Sequence, residues 1–143
     1  MKTVDIQKMC NQDLAGELLS YKQLVRHLNW AIDSINVELN AKFPIFEDTM
    51  EEYTAFPDKY IRMCVVPGAV WHFYQVDEEG ASSAQQFASD FQRGIFYMLR
   101  DYAHAIPEEY VDDDNNGSLT ADSKDRTFGD YGLEVNMAGE VWR

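Results

Sequence analysis

Residues 83–102, SAQQFASDFQRGIFYMLRDY, decide the fold of this chain because they carry its most regular hydrophobic pattern. Apolar side chains recur there at spacings of three and four residues, which is the period of one face of an α-helix. Ser83 and Gln86 match a capping box, in which a hydroxyl and an amide three residues later bond the first free N–H groups of a helix. The predicted apolar stripe consists of Ala84, Phe87, Ala88, Phe91, Ile95, Met98, Leu99 and Tyr102.

A second helix is predicted upstream, where Ser20 and Gln23 form another capping box. Because a residue before proline is pushed out of helical geometry, Phe43-Pro44 should end this helix near Lys42. Its apolar residues again follow helical spacing: Leu24, Leu28, Ala31, Ile32, Ile35 and Leu39. A shorter helix should precede it, from Thr3 to about Leu19, interrupted or weakened near Asn11 and Gly16.

A third long helix is predicted to begin at Pro57-Asp58, since proline and aspartate both suit a first helical turn. It should stop at Glu79-Gly80, with a kink or brief break at Pro67-Gly68. The aromatic run 71–74 surrounds this helix, which indicates a central, buried position or an edge in a subunit contact. The phenylalanines and tyrosine of the connection 44–57 are available to pack back on the bundle.

Together these patterns predict an all-α fold, a small bundle of three to four helices over residues 1–110. The remaining residues, 111–143, form an acidic loop followed by an extended C-terminal arm without helical periodicity. Alternation at 133–137 is typical of a short β-strand, which would pair within a hairpin or with a neighbouring subunit. We expect the arm to bury its apolar residues on another protein subunit: Phe128, Tyr131, Leu133, Val135, Met137, Val141 and Trp142.

Composition limits the function. The 143 residues are 45% hydrophobic and carry a formal net charge of −13, which disfavours a protein that grips the nucleic-acid backbone. Such a charge suits a surface that DNA slides past, a surface that imitates DNA, or simple solubility. Cys10 and Cys64 are expected to be buried, reduced thiols. The N-terminus lacks the apolar core of a signal peptide and no run is long enough for a membrane helix, so we expect synthesis in the cytoplasm and no membrane.

The start of the acidic loop resembles a calcium-binding loop. Asp112, Asp114 and Asn116 occupy positions 1, 3 and 5 of the EF-hand pattern, and Thr120 occupies position 9. Position 12 is Ser123 instead of the bidentate glutamate, so any Ca²⁺ site would be weak. The alternative is an acidic surface turn in which the side chains cap their own backbone.

The other groups of polar residues do not indicate a catalytic site. His27, His72 and His104 fall on separate predicted segments and are expected to be packed or exposed singly. The carboxylates of 77–79 are consecutive and point in different directions, as at a solvated helix end. The chain shows no nucleophile elbow and no phosphate-cradling glycine loop. We therefore expect a protein that is not an enzyme and that uses no cofactor.

The order of these elements, over roughly residues 18–112, resembles the head–tail connector proteins of tailed bacteriophages, also called adaptor or head-completion proteins. The segments that carry the resemblance are Leu19-Ser20-Tyr21, Lys42-Phe43-Pro44, Pro57-Asp58-Lys59-Tyr60, Val66-Pro67-Gly68-Ala69, Asp77-Glu78-Glu79-Gly80, Phe87-Ala88-Ser89-Asp90-Phe91 and Arg100-Asp101-Tyr102 running into Ile106-Pro107-Glu108-Glu109-Tyr110.

The resemblance implies a structural virion protein at the head–tail junction. Such subunits form a ring, commonly a dodecamer, that docks on the portal protein and presents a surface to the next neck or tail protein. Duplex DNA passes through the lumen without specific binding. Two other functions remain open: an acidic, DNA-mimicking inhibitor that binds a DNA-processing enzyme, and a weak calcium-binding interaction module.

Overall fold

The computed structural model describes residues 1–14, 18–76 and 84–112, together with the backbone of 136–137 and 140–141. In these residues the fold is the expected all-α bundle, with four helices. Helix α1 is Thr3–Asp13 and α2 is Tyr21–Leu39. Helix α3 (58–76) joins an α-helical turn, Asp58–Tyr60, a π-helical segment, Ile61–Val65, and an α-helical segment, Val66–Val76. Helix α4 is Ala84–Asp101, and two 3₁₀ turns follow at Ala103–Ala105 and Glu108–Tyr110.

Helix α1 is shorter than predicted, because it ends at Asp13 and not near Leu19. Leu14 leaves the helix in an extended conformation and is buried. The side-chain amide of Asn11 then binds both backbone groups of Leu19, donating to its carbonyl at 3.0 Å and accepting from its N–H at 3.1 Å. These bonds hold Leu19 against the last turn of α1, a contact that the helical pattern did not reveal.

Helix α2 begins as predicted and ends earlier. The N–H of Gln23 donates to Ser20 Oγ at 3.3 Å and the N–H of Ser20 donates to Gln23 Oε1 at 2.9 Å, which confirms the capping box. The predicted end near Lys42 is wrong: the helix ends at Leu39 because Asn40 adopts a left-handed conformation with φ of 53°. Asparagine tolerates this conformation better than most residues do, and it terminates helices.

Helix α3 runs through Pro67-Gly68 without the predicted break. Pro67 has no N–H to donate to the carbonyl of Met63, four residues earlier. The chain accommodates this defect in the π-helical segment directly upstream, a known way for a helix to absorb such an irregularity. Of the two predicted outcomes, a kink or a brief break, the break is absent, and the irregularity takes the form of a π-helical insertion upstream of Pro67.

The second half of α3 is central to the bundle, packed between α2 and α4 with α1 alongside. Phe73 and Tyr74 are buried, while Trp71 and His72 are partly exposed, so the aromatic run is buried on most sides as predicted. Gly68 allows α3 to approach its neighbours closely. A Cβ at this position would lie 2.6 Å from ring carbons of Phe91 and 3.1 Å from Ala31 Cβ.

The connection between α2 and α3 packs back on the bundle through Phe46, Tyr53 and Phe56, all of which are buried. Two asparagines of α2 hold its backbone. Asn36 Nδ2 donates to the carbonyl of Phe43 at 3.0 Å and Asn36 Oδ1 accepts from the N–H of Phe43 at 2.8 Å. Asn29 forms the same pair of bonds with the carbonyl and N–H of Phe46.

The described bundle extends to Asp112, whose N–H donates to the carbonyl of Asn40 at 3.1 Å. Two short strands, β1 (Asn136–Met137) and β2 (Glu140–Val141), pair antiparallel with Asn136 opposite Val141. The predicted cap at Ser83 and the carboxylates of 77–79 lie outside the described residues.

Candidate interaction surface

Most of the residues predicted to bind a partner or a metal lie outside the described residues. They are Asp114, Asn116 and Thr120 of the possible calcium loop, and Phe128, Tyr131, Leu133, Val135 and Trp142 of the arm. Met137 lies in β1, of which the backbone alone is described. Asp112, the first position of the loop pattern, is held at the bundle surface by its backbone bond to Asn40. In the described ranges, no group of three or more His, Cys, Asp or Glu side chains is placed to hold a metal ion.

The structure brings together an apolar groove of about 440 Å³ where α2, α3 and α4 meet. Two tryptophans from different helices form its base, and α4 supplies most of one wall. Ser34, Glu38 and Gln92 supply its polar edge. The apolar lining is Trp30, Trp71, Phe91, Ile95, Phe96 and Leu99.

The base of the groove is a cluster of three aromatic rings. The rings of Trp30 and Trp71 meet nearly edge to face, with centroids 5.4 Å apart. Phe91 lies 5.5 Å from Trp30 and 6.1 Å from Trp71 by the same measure. Such aromatic pairs contribute about 0.5–1.5 kcal/mol beyond their buried area, so the base is a firm surface.

The wall formed by α4 exposes apolar side chains to solvent. Phe96 is 56% exposed and Leu99 is 41% exposed. The sequence pattern assigned Leu99 to the buried stripe, and the structure corrects this assignment. Phe96 and Leu99 therefore continue the apolar surface of the two tryptophans to the solvent-exposed edge of the groove. Aromatic residues exposed beside an apolar depression are typical of the cores of protein interfaces.

A charged residue borders this wall. The guanidinium of Arg100 lies 5.7 Å from the ring centre of Phe96 and 4.9 Å from that of Tyr97. It also pairs with the carboxylate of Asp101, Nε to Oδ1 at 2.8 Å. The hydrogen bond between them raises the pKa of Arg100 and lowers the pKa of Asp101. Because the pair is fully exposed, it orients the Arg100 side chain over the rings and adds little to stability.

A pair of histidines lies behind the tryptophan base. His27 Nδ1 and His72 Nδ1 are 2.9 Å apart, so one ring nitrogen must carry a proton and donate it to the other. His27 is buried, and the ring of His72 stacks on Trp30 with centroids 4.8 Å apart. The expectation that the histidines act singly is therefore wrong for these two. His104, on a 3₁₀ turn, is exposed.

The other side of α4 borders a second, more polar depression of about 320 Å³. Its charged residues are Arg62, Asp90 and Arg93, and Arg93 Nη1 pairs with Asp90 Oδ1 at 3.1 Å. This depression lies beside the π-helical segment of α3. This depression is lined by charged residues and the groove by apolar ones, so α4 presents a polar surface on one side and an apolar surface on the other.

The expected thiols are buried and reduced. Burial raises the pKa of Cys10 to about 12, with a smaller contribution from the Asp13 carboxylate. Burial alone raises the pKa of Cys64 to about 12. Thiols in this state are poor nucleophiles and poor metal ligands, so they serve the packing of the core.

Comparison with known proteins gives no relative: no family model matches the chain, and neither a curated protein nor a solved structure is significantly similar to it. None of the helices in the described part of the chain is both long and apolar enough to cross a membrane. Sequence reasoning missed the groove. The large aromatic side chains of Trp30, Trp71 and Phe96 were visible in the sequence, but they lie on three helices and come together only through the packing of those helices.

Proposed function

We propose that this protein is a structural subunit of a tailed-bacteriophage virion, a head–tail connector that assembles into a ring between the portal protein and the next neck or tail protein. The single observation that carries the proposal is the exposed groove with its tryptophan base. An apolar surface of this kind on a strongly acidic chain favours a protein partner. The order of helices along the chain resembles that of connector proteins, and this resemblance suggests which kind of protein the partner is.

The placement of charge supports the second part of this role, which is the passage of DNA. The connection 44–57 carries four exposed carboxylates, Glu47, Asp48, Glu51 and Glu52. It is bonded to α2 through Asn29, and to the N-terminal segment through Thr3, while Asn36 bonds Phe43 directly before it. A fixed acidic surface repels the phosphates of duplex DNA and lets it pass without adhering.

The acidic connection and the apolar groove lie on different sides of α2. Successive residues of a helix are about 100° apart, so Asn29 and Asn36 share one face. Trp30, Ser34 and Glu38 share another face, well over a quarter of a turn away. A ring subunit needs this separation, because one side contacts the next subunit and another side faces the channel.

The proposal is tested by the mass of the purified protein in solution. Light scattering over a concentration series, with negative-stain images of the heaviest species, should reveal closed rings. A dodecamer of the 16.5 kDa chain has a mass of about 200 kDa. A species that stays monomeric at every concentration, alone and with a portal protein, would contradict the proposal.

A second function, an acidic inhibitor that mimics DNA, is favoured by the same fixed carboxylates. A mimic requires negative charges at constant spacing, and the hydrogen bonds of Asn29 and Asn36 hold the connection in place. This alternative predicts a stable monomer or dimer that binds a basic DNA-processing enzyme. Its affinity should fall steeply as salt concentration rises, because its contacts are charge pairs.

A further inference from the structure

The groove exposes apolar surface of the kind that binds a partner, and the chain itself contains a segment of matching composition. Outside the described bundle lie 31 consecutive residues, 113–143. The first part, 113–127, is mostly polar and charged. The second part, 128–142, holds three aromatic residues, Phe128, Tyr131 and Trp142, as well as several aliphatic residues. A segment of that composition is suited to bury its apolar residues by docking on a complementary apolar surface.

The described chain reaches its last residues close to one end of the groove. The N–H of Lys42 donates to the carbonyl of Tyr110 at 2.7 Å, and the N–H of Asp112 donates to the carbonyl of Asn40 at 3.1 Å. Ala41 and Val111 form an isolated antiparallel bridge between these two bonds. Glu38, at the edge of the groove, lies within one helical turn of Asn40. The arm therefore departs from the end of α2 that borders the groove.

Resting on the proposed assembly into a ring, we infer that residues 128–142 of one copy occupy the Trp30–Trp71 groove of the adjacent copy. The groove is apolar with a polar edge, which suits a segment in which apolar residues alternate with polar ones, as at 133–137. Each copy then donates one arm and receives another. This is a head-to-tail contact between two different surfaces, the kind that closes a ring.

The linker is long enough to reach the groove of an adjacent copy. A helical domain of about 110 residues is roughly 35 Å across. Extended, the 15 residues 113–127 span up to about 50 Å, more than that diameter. The groove of the same chain begins within a helical turn of the arm's attachment and would need a linker of a few residues only. The length present is sufficient for a connection across a subunit boundary.

Disulfide trapping tests this inference in the full-length protein. Leu99→Cys places a thiol on the groove wall and Val135→Cys places one in the arm, while the two native thiols are buried. The two single variants are mixed, allowed to assemble and oxidised. We expect a disulfide-linked pair of chains to form at least ten times faster than in a mixture of Val135→Cys with Ser89→Cys. Ser89 is an exposed residue of the same helix, about 15 Å along the helix axis from Leu99 and outside the groove lining, and it serves as the matched control.

A chain that carries both Leu99→Cys and Val135→Cys should give ladders of linked chains. A closed, monomer-sized product would overturn the inference, because the arm would then dock on its own bundle. If rings form but the disulfide forms no faster than in the Ser89→Cys control, the inference about the arm is wrong, while the proposed assembly into a ring still holds. Absence of rings for the unmodified protein, alone and with a portal protein, would instead contradict the proposed function itself, so the two failures are distinguishable.

Discussion

Gly94 of α4 lies directly against the backbone of Met63 in α3, so that a Cβ at Gly94 would be 2.6 Å from the carbonyl oxygen of Met63. Met63 belongs to the π-helical segment and lies four residues before Pro67, which has no N–H to donate to its carbonyl. The close approach brings the Gly94 side of α4 onto α3. Leu99 and Phe96 are consequently left on the outer side, where they form the wall of the groove.

Gly94→Ala should therefore destabilise the protein, although alanine favours helices more than glycine does. Overpacking costs about 1–3 kcal/mol, and the gain in helix propensity offsets at most about 1 kcal/mol of it. Urea unfolding monitored by circular dichroism measures the difference. Ser89→Ala, exposed on the same helix, is the control and should change stability by less than about 0.5 kcal/mol. An unchanged midpoint for Gly94→Ala would mean that α3 and α4 separate freely at this contact.

Asn36→Leu should cost about 2–4 kcal/mol, because it leaves the buried N–H and carbonyl of Phe43 without partners. Asn29→Leu removes the same two bonds from Phe46, where the site is partly exposed and water can replace them. It should cost clearly less. Denaturant titration of the two variants side by side gives the comparison, and equal losses would show that burial does not set the effect.

His27 and His72 should show an energetic coupling in a double-mutant cycle. The single variants His27→Ala and His72→Ala each remove one partner of the Nδ1–Nδ1 hydrogen bond, and the double variant removes both. We expect a coupling of about 0.5–1.5 kcal/mol in the free energy of unfolding, as for a neutral hydrogen bond. A cycle that pairs His72 with the exposed His104 should show additivity. Additivity for His27 and His72 as well would indicate that the contact contributes nothing.

The buried thiols predict a loss of stability at alkaline pH. In the folded protein Cys10 and Cys64 hold their protons up to a pKa of about 12, whereas unfolded thiols lose them near pH 8.5. This stabilisation is fully present below about pH 8.5 and is lost progressively as the pH rises towards 12. Each thiol should contribute a decline of about 1.4 kcal/mol per pH unit within that window. Burial also raises the pKa of Tyr53, which adds to the decline at the upper end.

Urea unfolding at pH 8, 9 and 10 measures this decline in the free energy of unfolding. Cys64→Ala should make the decline shallower by about 1.4 kcal/mol per pH unit, the contribution of one thiol. Labelling with a disulfide reagent provides an independent check. Both thiols should react slowly in the native protein at pH 8 and rapidly in urea. Fast labelling of the native state would contradict the burial on which the prediction depends.

Phe96→Asp should abolish assembly and leave the fold intact. The side chain is more than half exposed, so its replacement removes little core packing and places a charge on the groove wall. Light scattering should report a monomer for this variant at concentrations where the unmodified protein forms rings. Gln86→Asp, which adds the same charge at another exposed position of α4, should assemble normally. Loss of assembly in both variants would point to net charge as the cause.

Hydrophobic spacing was sufficient to predict the all-α class. The capping-box motif predicted the cap at Ser20, and the aromatic residues of the connection predicted the packing of Phe46, Tyr53 and Phe56. Helix ends were predicted less well, because they depend on bonds to distant parts of the chain. Asn11 binds the backbone of Leu19, and Asn40 turns left-handed, without any signal in the periodicity.

By itself the sequence determined which residues form helices and which of their faces are apolar, since these follow from a repeat of 3.6 residues along one segment. It did not determine which apolar residues would be left uncovered. That was decided by the tertiary structure, because Gly68 admits the side chains of Phe91 and Ala31 and Gly94 admits the backbone of Met63, and these close approaches set how the helices lie against one another. The groove over Trp30 and Trp71 and the contact between His27 and His72 arise from those approaches, as each joins residues of different helices.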